Sequence, residues 1–166
     1  MGNESLRAYA IFGKQFPANF HTQMIATNGT SLYVRVGGKG PAVVLLHGFG
    51  ATGDMLSGNP KAIDADTRQH YAALYARLHA MHDAFEQFGA FRQDAADNEA
   101  LLATGGKITM PVFAVGAEKL FGTGMADEMR SAASNVTGGI VPNSGHWIME
   151  ENPQATVELV TGFLAK

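Results

Sequence analysis

The chain has 166 residues, enough for one domain with a real core and too few for two comfortable ones. Lys and Arg number 12 against 15 acidic residues, with no basic run, so the electrostatic footprint of a nucleic-acid binder is missing and a small, apolar partner molecule is expected. There is no cysteine, which excludes disulfides and thiolate catalysis, and the apolar runs are too short to span a bilayer. A cytoplasmic chain that binds neither nucleic acid nor membrane is expected.

A loosely patterned leader runs to about Pro17 without the continuous apolar core of a secretory signal. Residues 22–26 (TQMIA) read as a strand and 27–30 (TNGT) as its turn, Asn28-Gly29 being the hairpin signal. Residues 31–36 return as the partner strand, Leu32, Val34 and Val36 alternating with Ser31, Tyr33 and Arg35. After the breaker cluster 37–41 (GGKGP), residues 42–46 (AVVLL) are apolar without alternation, as in a strand covered on both faces of a parallel sheet.

His47-Gly48-Phe49-Gly50 follows at the carboxyl end of that strand, the edge of an open α/β sheet where ligands sit. Glycines there let backbone N–H groups approach a substrate oxygen, so the loop reads either as an oxyanion hole or as an ordinary glycine-rich turn. The N-terminal strands and this loop occupy 22–55.

Residues 57–105 are helical in periodicity. Asp64, Asp66 or Thr67 caps a helix carrying Tyr71, Leu74, Tyr75 and Leu78 at spacings of three and four; Met81, Phe85, Phe88 and Phe91 continue the pattern, and Gly105-Gly106 ends it. The phenylalanine stripe reads as a core face. His79 and His82 share a helix face, but no third ligand has suitable spacing, so no metal and no cofactor is expected.

Residues 108–166 alternate strand, helix, strand, helix: 110–115 (MPVFAV), 124–133, 138–141 and a final helix opened by Asn152-Pro153. Glu118 lies in the loop after the first of these strands, and His146, flanked by Gly145 and Trp147, in the loop after the second. A histidine there is placed as a general base would be, on a loop fixed by a scaffold.

With those stretches in view, the chain resembles the α/β-hydrolase fold family, within it the epoxide hydrolase and haloalkane or haloacetate dehalogenase branch. The likeness is carried by TNGTSLYVRVGGKGPAVVLLHGFGATGDM, by SGNPKAIDADTRQHYAALYARLHAMHDAFEQF, by MPVFAVGAEKLFG and by NSGHWIMEENPQATVELVTGFL. The resemblance implies that Phe49 lies beside the oxyanion hole, that His146 activates the hydrolytic water, and that 57–103 descend from the helical cap over the active site. It also implies an epoxide or halogenated substrate, with Trp147 beside it and Tyr71 and Tyr75 as cap tyrosines that are either acids toward an epoxide oxygen or packing residues.

One part of the family pattern is missing. The loop GFGATGDM should lead through a helix and a strand to a nucleophile elbow of form Gly-x-nucleophile-x-Gly; here it runs directly into cap-like sequence, and neither Gly-x-Ser-x-Gly nor Gly-x-Asp-x-Gly occurs anywhere. Asp54 is a poor substitute, since nothing places it on an elbow. Glu118 is the candidate orienting acid, although an acid from an earlier strand is equally compatible with this branch. The expected fold is a truncated α/β-hydrolase sheet of about five strands with flanking helices and a cap remnant, its open edge suited to a homodimer. The expected function is that of an impaired hydrolase; a non-catalytic binding module and one half of a split hydrolase are the alternatives.

Overall fold

The computed structural model describes residues 17–45 and 62–166. They fall into two compact units, one containing an N-terminal hairpin and the other everything described from residue 62 onward.

In the hairpin unit, β1 (His21–Thr27) pairs antiparallel with β2 (Thr30–Val36), Thr27 opposite Thr30. The two-residue turn has positive φ at both Asn28 (42°) and Gly29 (78°), the left-handed pair that matches the strand twist and that an Asn-Gly sequence adopts easily. The expected burial of one face is not found: Leu32 and Val36 are exposed and only Val34 is half-buried.

A larger correction concerns the expected buried strand at 42–46. Residues 42–45 form no strand, and Val43, Val44 and Leu45 are 54%, 77% and 78% exposed. An unalternating apolar strand is stabilised by neighbours on both edges and layers on both faces, and no strand among the described residues pairs with this one.

The second unit opens with α1 (Ala65–Tyr75), whose N-cap is Asp64, accepting from the Thr67 N–H at 2.8 Å. That bond holds the Asp64 carboxyl below its usual pKa, because it stabilises the charged form. After a break at His79 (φ 66°), α2 (Ala80–Gly105) runs for 26 residues and has no buried position. Its phenylalanine stripe is therefore not the expected core face: Phe85, Phe88 and Phe91 are 60%, 45% and 56% exposed, with Phe88 and Phe91 edge to face at 5.1 Å. The spacing gives the helix an apolar stripe, but α1 is the element it chiefly meets among those described.

The core lies further on. β3 (Val112–Ala117), α3 (Gly124–Ala132) and β4 (Val136–Val141) form a parallel strand–helix–strand unit, Val112 opposite Val136 and Ala117 opposite Val141. The short α4 (Ile148–Glu151) and then α5 (Pro153–Leu164) follow. Gly138 faces Ala126 of α3, and Gly139 faces Phe113 and Leu159 of α5; successive strand residues point to opposite faces, so the two helices cover the two faces of the pair. A Cβ on Gly139 would sit 2.7 Å from the Phe113 ring, which stacks on Phe163 at 4.9 Å, so glycine here makes room for that stack. Ala114, Ala117, Ala126, Ala133 and Val141 are buried around these strands.

The α/β class with several helices is thus observed, but as four strands in two separate two-stranded sheets among the described residues, not as a single sheet of about five.

Candidate active site

Because β3 and β4 are parallel, the loops leaving them emerge at the same carboxyl edge, and the backbone ties them together. The Glu118 N–H donates to the Val141 carbonyl at 3.0 Å and the Lys119 N–H to the Ser144 carbonyl at 2.9 Å. Ser144 is fully buried and donates its hydroxyl to the Val141 carbonyl at 2.8 Å. Asn143 takes a left-handed φ of 53°, which asparagine tolerates, and donates its N–H to Glu118 Oε2 at 2.7 Å. Glu118 thus braces the turn before His146. Among the described residues no hydrogen bond joins its carboxylate to the His146 imidazole.

His146 stands at the tip of this loop with an exposed side chain, its ring edge to face with Trp147 at 4.4 Å. The Trp147 indole Nε1 is buried without a hydrogen-bond partner among the described residues.

Glu151 was not singled out by its sequence context, yet it is the most tightly used carboxylate here. Only 6% exposed, it accepts the Gly145 N–H on Oε2 at 2.8 Å and the Trp147 N–H on Oε1 at 3.1 Å. These donors flank His146 on either side. A glutamate six residues into a loop-helix junction carries no sequence mark of burial; glutamate is exposed in most settings.

Beneath the loop, Asn152 caps α5 by accepting the Ala155 N–H at 3.2 Å and donates to the Pro142 carbonyl at 2.9 Å. Buried Thr156 donates its hydroxyl to the Ile148 and Asn152 carbonyls, each at 2.9 Å. The turn carrying His146 is fastened by Glu118 ahead of the histidine and by Glu151 on either side of it.

Tyr71 of α1 reaches the same region, its hydroxyl donating to Glu150 Oε1 at 2.7 Å. Partial burial raises the phenol pKa, and the Glu150 carboxylate, which binds the protonated form, raises it further. Tyr75 is half-buried one helical turn on. His47, Gly48, Phe49, Gly50 and Asp54 lie outside the described residues. No cluster of three metal-ligating side chains occurs among the described residues, and His82 is taken up by Asp83 at 3.4 Å and Glu86 at 3.9 Å.

No protein-family model matches the chain. Over 69 residues it is 36% identical to a soluble epoxide hydrolase from Corynebacterium sp. (strain C12), a match covering 42% of this chain and 24% of that protein. Its fold is similar to that of Cfl2 from Burkholderia cenocepacia (TM-score 0.61, 30% identity), over 64% of this chain and 36% of the other. It is also similar to the Cif epoxide hydrolase from Acinetobacter nosocomialis (TM-score 0.60, 27% identity), over 65% of this chain and 35% of that one. The chain thus shares part of the α/β-hydrolase fold with epoxide hydrolases, to which it is similar in sequence over the matched residues.

The chain spans about a quarter of the length of the curated relative and about a third of the solved structures that it matches. Among its described residues no helix is long and apolar enough to cross a membrane.

Proposed function

We propose that the chain is a hydrolase of the epoxide or carbon–halogen class in which His146 activates water directly against a small apolar substrate, at a rate well below that of an enzyme with a nucleophile elbow. The observation that carries this reading is the fastening of the His146 loop at the carboxyl edge of β3 and β4 by Glu118 and Glu151, in a chain similar to epoxide hydrolases.

His146 is the base in this reading: it takes a proton from water as the water oxygen attacks an epoxide carbon, the C–O bond breaks, and the resulting alkoxide is protonated to give a diol. Glu118 serves through the loop, by holding Asn143. Tyr71 belongs to the proposed site's wall, its proton already engaged by Glu150. Trp147 and Tyr75 complete the apolar side. The missing elbow removes covalent catalysis, which accounts for the reduced rate.

A second reading is favoured by the two-stranded β3–β4 sheet, whose outer edges pair with no further strand among the described residues: the chain works as part of an assembly, either as a homodimer through an open strand edge or as one half of a split hydrolase.

Turnover of a panel of epoxides, haloacetates and activated esters by the purified chain and by His146→Ala separates the readings. Hydrolysis lost in the mutant supports the first. Equal rates in the two proteins, in samples shown to melt cooperatively, reject it and leave the second.

A further inference from the structure

A carboxylate as buried as Glu151 normally carries a counter-cation, because an isolated charge taken out of water costs several kcal/mol or more. Among the described residues no Lys, Arg or His forms an ion pair with it. Its compensation comes from backbone donors instead: the Gly145 N–H at 2.8 Å and the Trp147 N–H at 3.1 Å, one on each carboxylate oxygen. Charge-assisted bonds of this kind are roughly twice as strong as neutral ones.

The geometry of the pair matters more than its strength. The donors belong to the residues on either side of His146, so one rigid carboxylate fixes the peptide planes that enter and leave the histidine. A neutral amide at 151 has one oxygen and one NH2 group, so it can accept one of these N–H groups and must present a donor to the other.

From this we infer that Glu151 is the positioning residue of the His146 loop: it sets where the imidazole stands without touching the reacting atoms. The inference rests on the role proposed above for His146. A displacement of about 1 Å in such a group costs about 100-fold in rate.

The test uses the full chain, isotopically labelled, as the parent, as Glu151→Gln and as Thr156→Val. Thr156→Val removes a bond from the same helix junction while leaving both Glu151 contacts in place, and so reports a purely structural loss. In folded Glu151→Gln the amide resonances of Gly145 and Trp147 shift upfield and lose exchange protection, while those of β3 stay in place; in Thr156→Val the two amides keep their positions. On the epoxide hydrolysed best by the parent, Glu151→Gln lowers kcat by about 100-fold with KM changed less than twofold, and Thr156→Val leaves kcat within twofold. Unmoved Gly145 and Trp147 amides in a folded Glu151→Gln overturn the inference, as does an equal kcat loss in both variants. Amides that move in a parent chain without His146-dependent turnover instead reject the proposed hydrolysis and leave Glu151 as the loop's anchor.

Discussion

Tyr71 and Glu150, 79 residues apart in sequence, are joined by a 2.7 Å hydrogen bond that fastens helix α1 to the helical turn following His146. The phenol is the donor and the carboxylate the acceptor, so ionising the phenol destroys the bond. Its raised pKa means that this stabilisation is complete below the ordinary phenol value near 10 and is lost as pH rises through the higher folded value. In a phenolate absorbance titration of the folded chain, Tyr71 is expected to ionise above the ordinary phenol value, so that Tyr71→Phe removes a late component of the curve. Glu150→Gln should bring that component back toward the ordinary phenol value. A curve that is the same in Glu150→Gln and the parent would contradict the bond.

Removing the hydroxyl tests the same contact energetically. Tyr71→Phe strands part of the Glu150 carboxylate and is expected to lower stability by about 1 kcal/mol, at the low end for a bond to a charged group because the site is partly exposed. Urea unfolding monitored by circular dichroism reads this as a lower midpoint at unchanged slope.

Asp64 supplies an acid-side prediction. Its folded pKa is depressed, so its contribution is present above the unfolded carboxyl value and disappears as pH falls through the lower folded one. Helicity lost on acidification should therefore be smaller in Asp64→Asn, which keeps a capping oxygen at all pH values. Identical acid transitions in the two proteins would show that this cap does not titrate.

The glycine at 116 is expected to be intolerant. A Cβ there would run into the Gly122 carbonyl, backbone that cannot swing aside as a side chain can. Gly116→Ala should cost about 1–3 kcal/mol, the range for overpacking a filled site, and should loosen the turn after β3 that carries Glu118. A thermal melt within 1 °C of the parent would show that the turn yields, about half the smallest shift expected for 1 kcal/mol in a chain of this size.

Local rules were legible where the chain supplies its own answer. The Asn28-Gly29 turn, a helix cap among Asp64, Asp66 and Thr67, and the Asn152-Pro153 helix start are written within four residues each, and all three occur, the cap at Asp64. The strand pair carrying Glu118 and His146 was equally readable, because its apolar runs are short and bounded by turns. Failure came where the outcome depends on partners distant in sequence. Val43, Val44 and Leu45 have the composition of a central strand but no described neighbour to pair with, and Phe85, Phe88 and Phe91 have the spacing of a core face yet stay 45–60% exposed. Glu151 could not be read because its burial depends on backbone donors whose positions only the folded loop defines.

The central claim is that His146 activates water directly, without a covalent intermediate. A single turnover of the best epoxide with excess enzyme in 18O-labelled water tests it most directly. Direct attack places the label in the diol on the first turnover, and His146→Ala abolishes that product. An unlabelled first-turnover diol, its new oxygen taken from a protein carboxylate, would contradict the account and make Asp54 the first position to substitute.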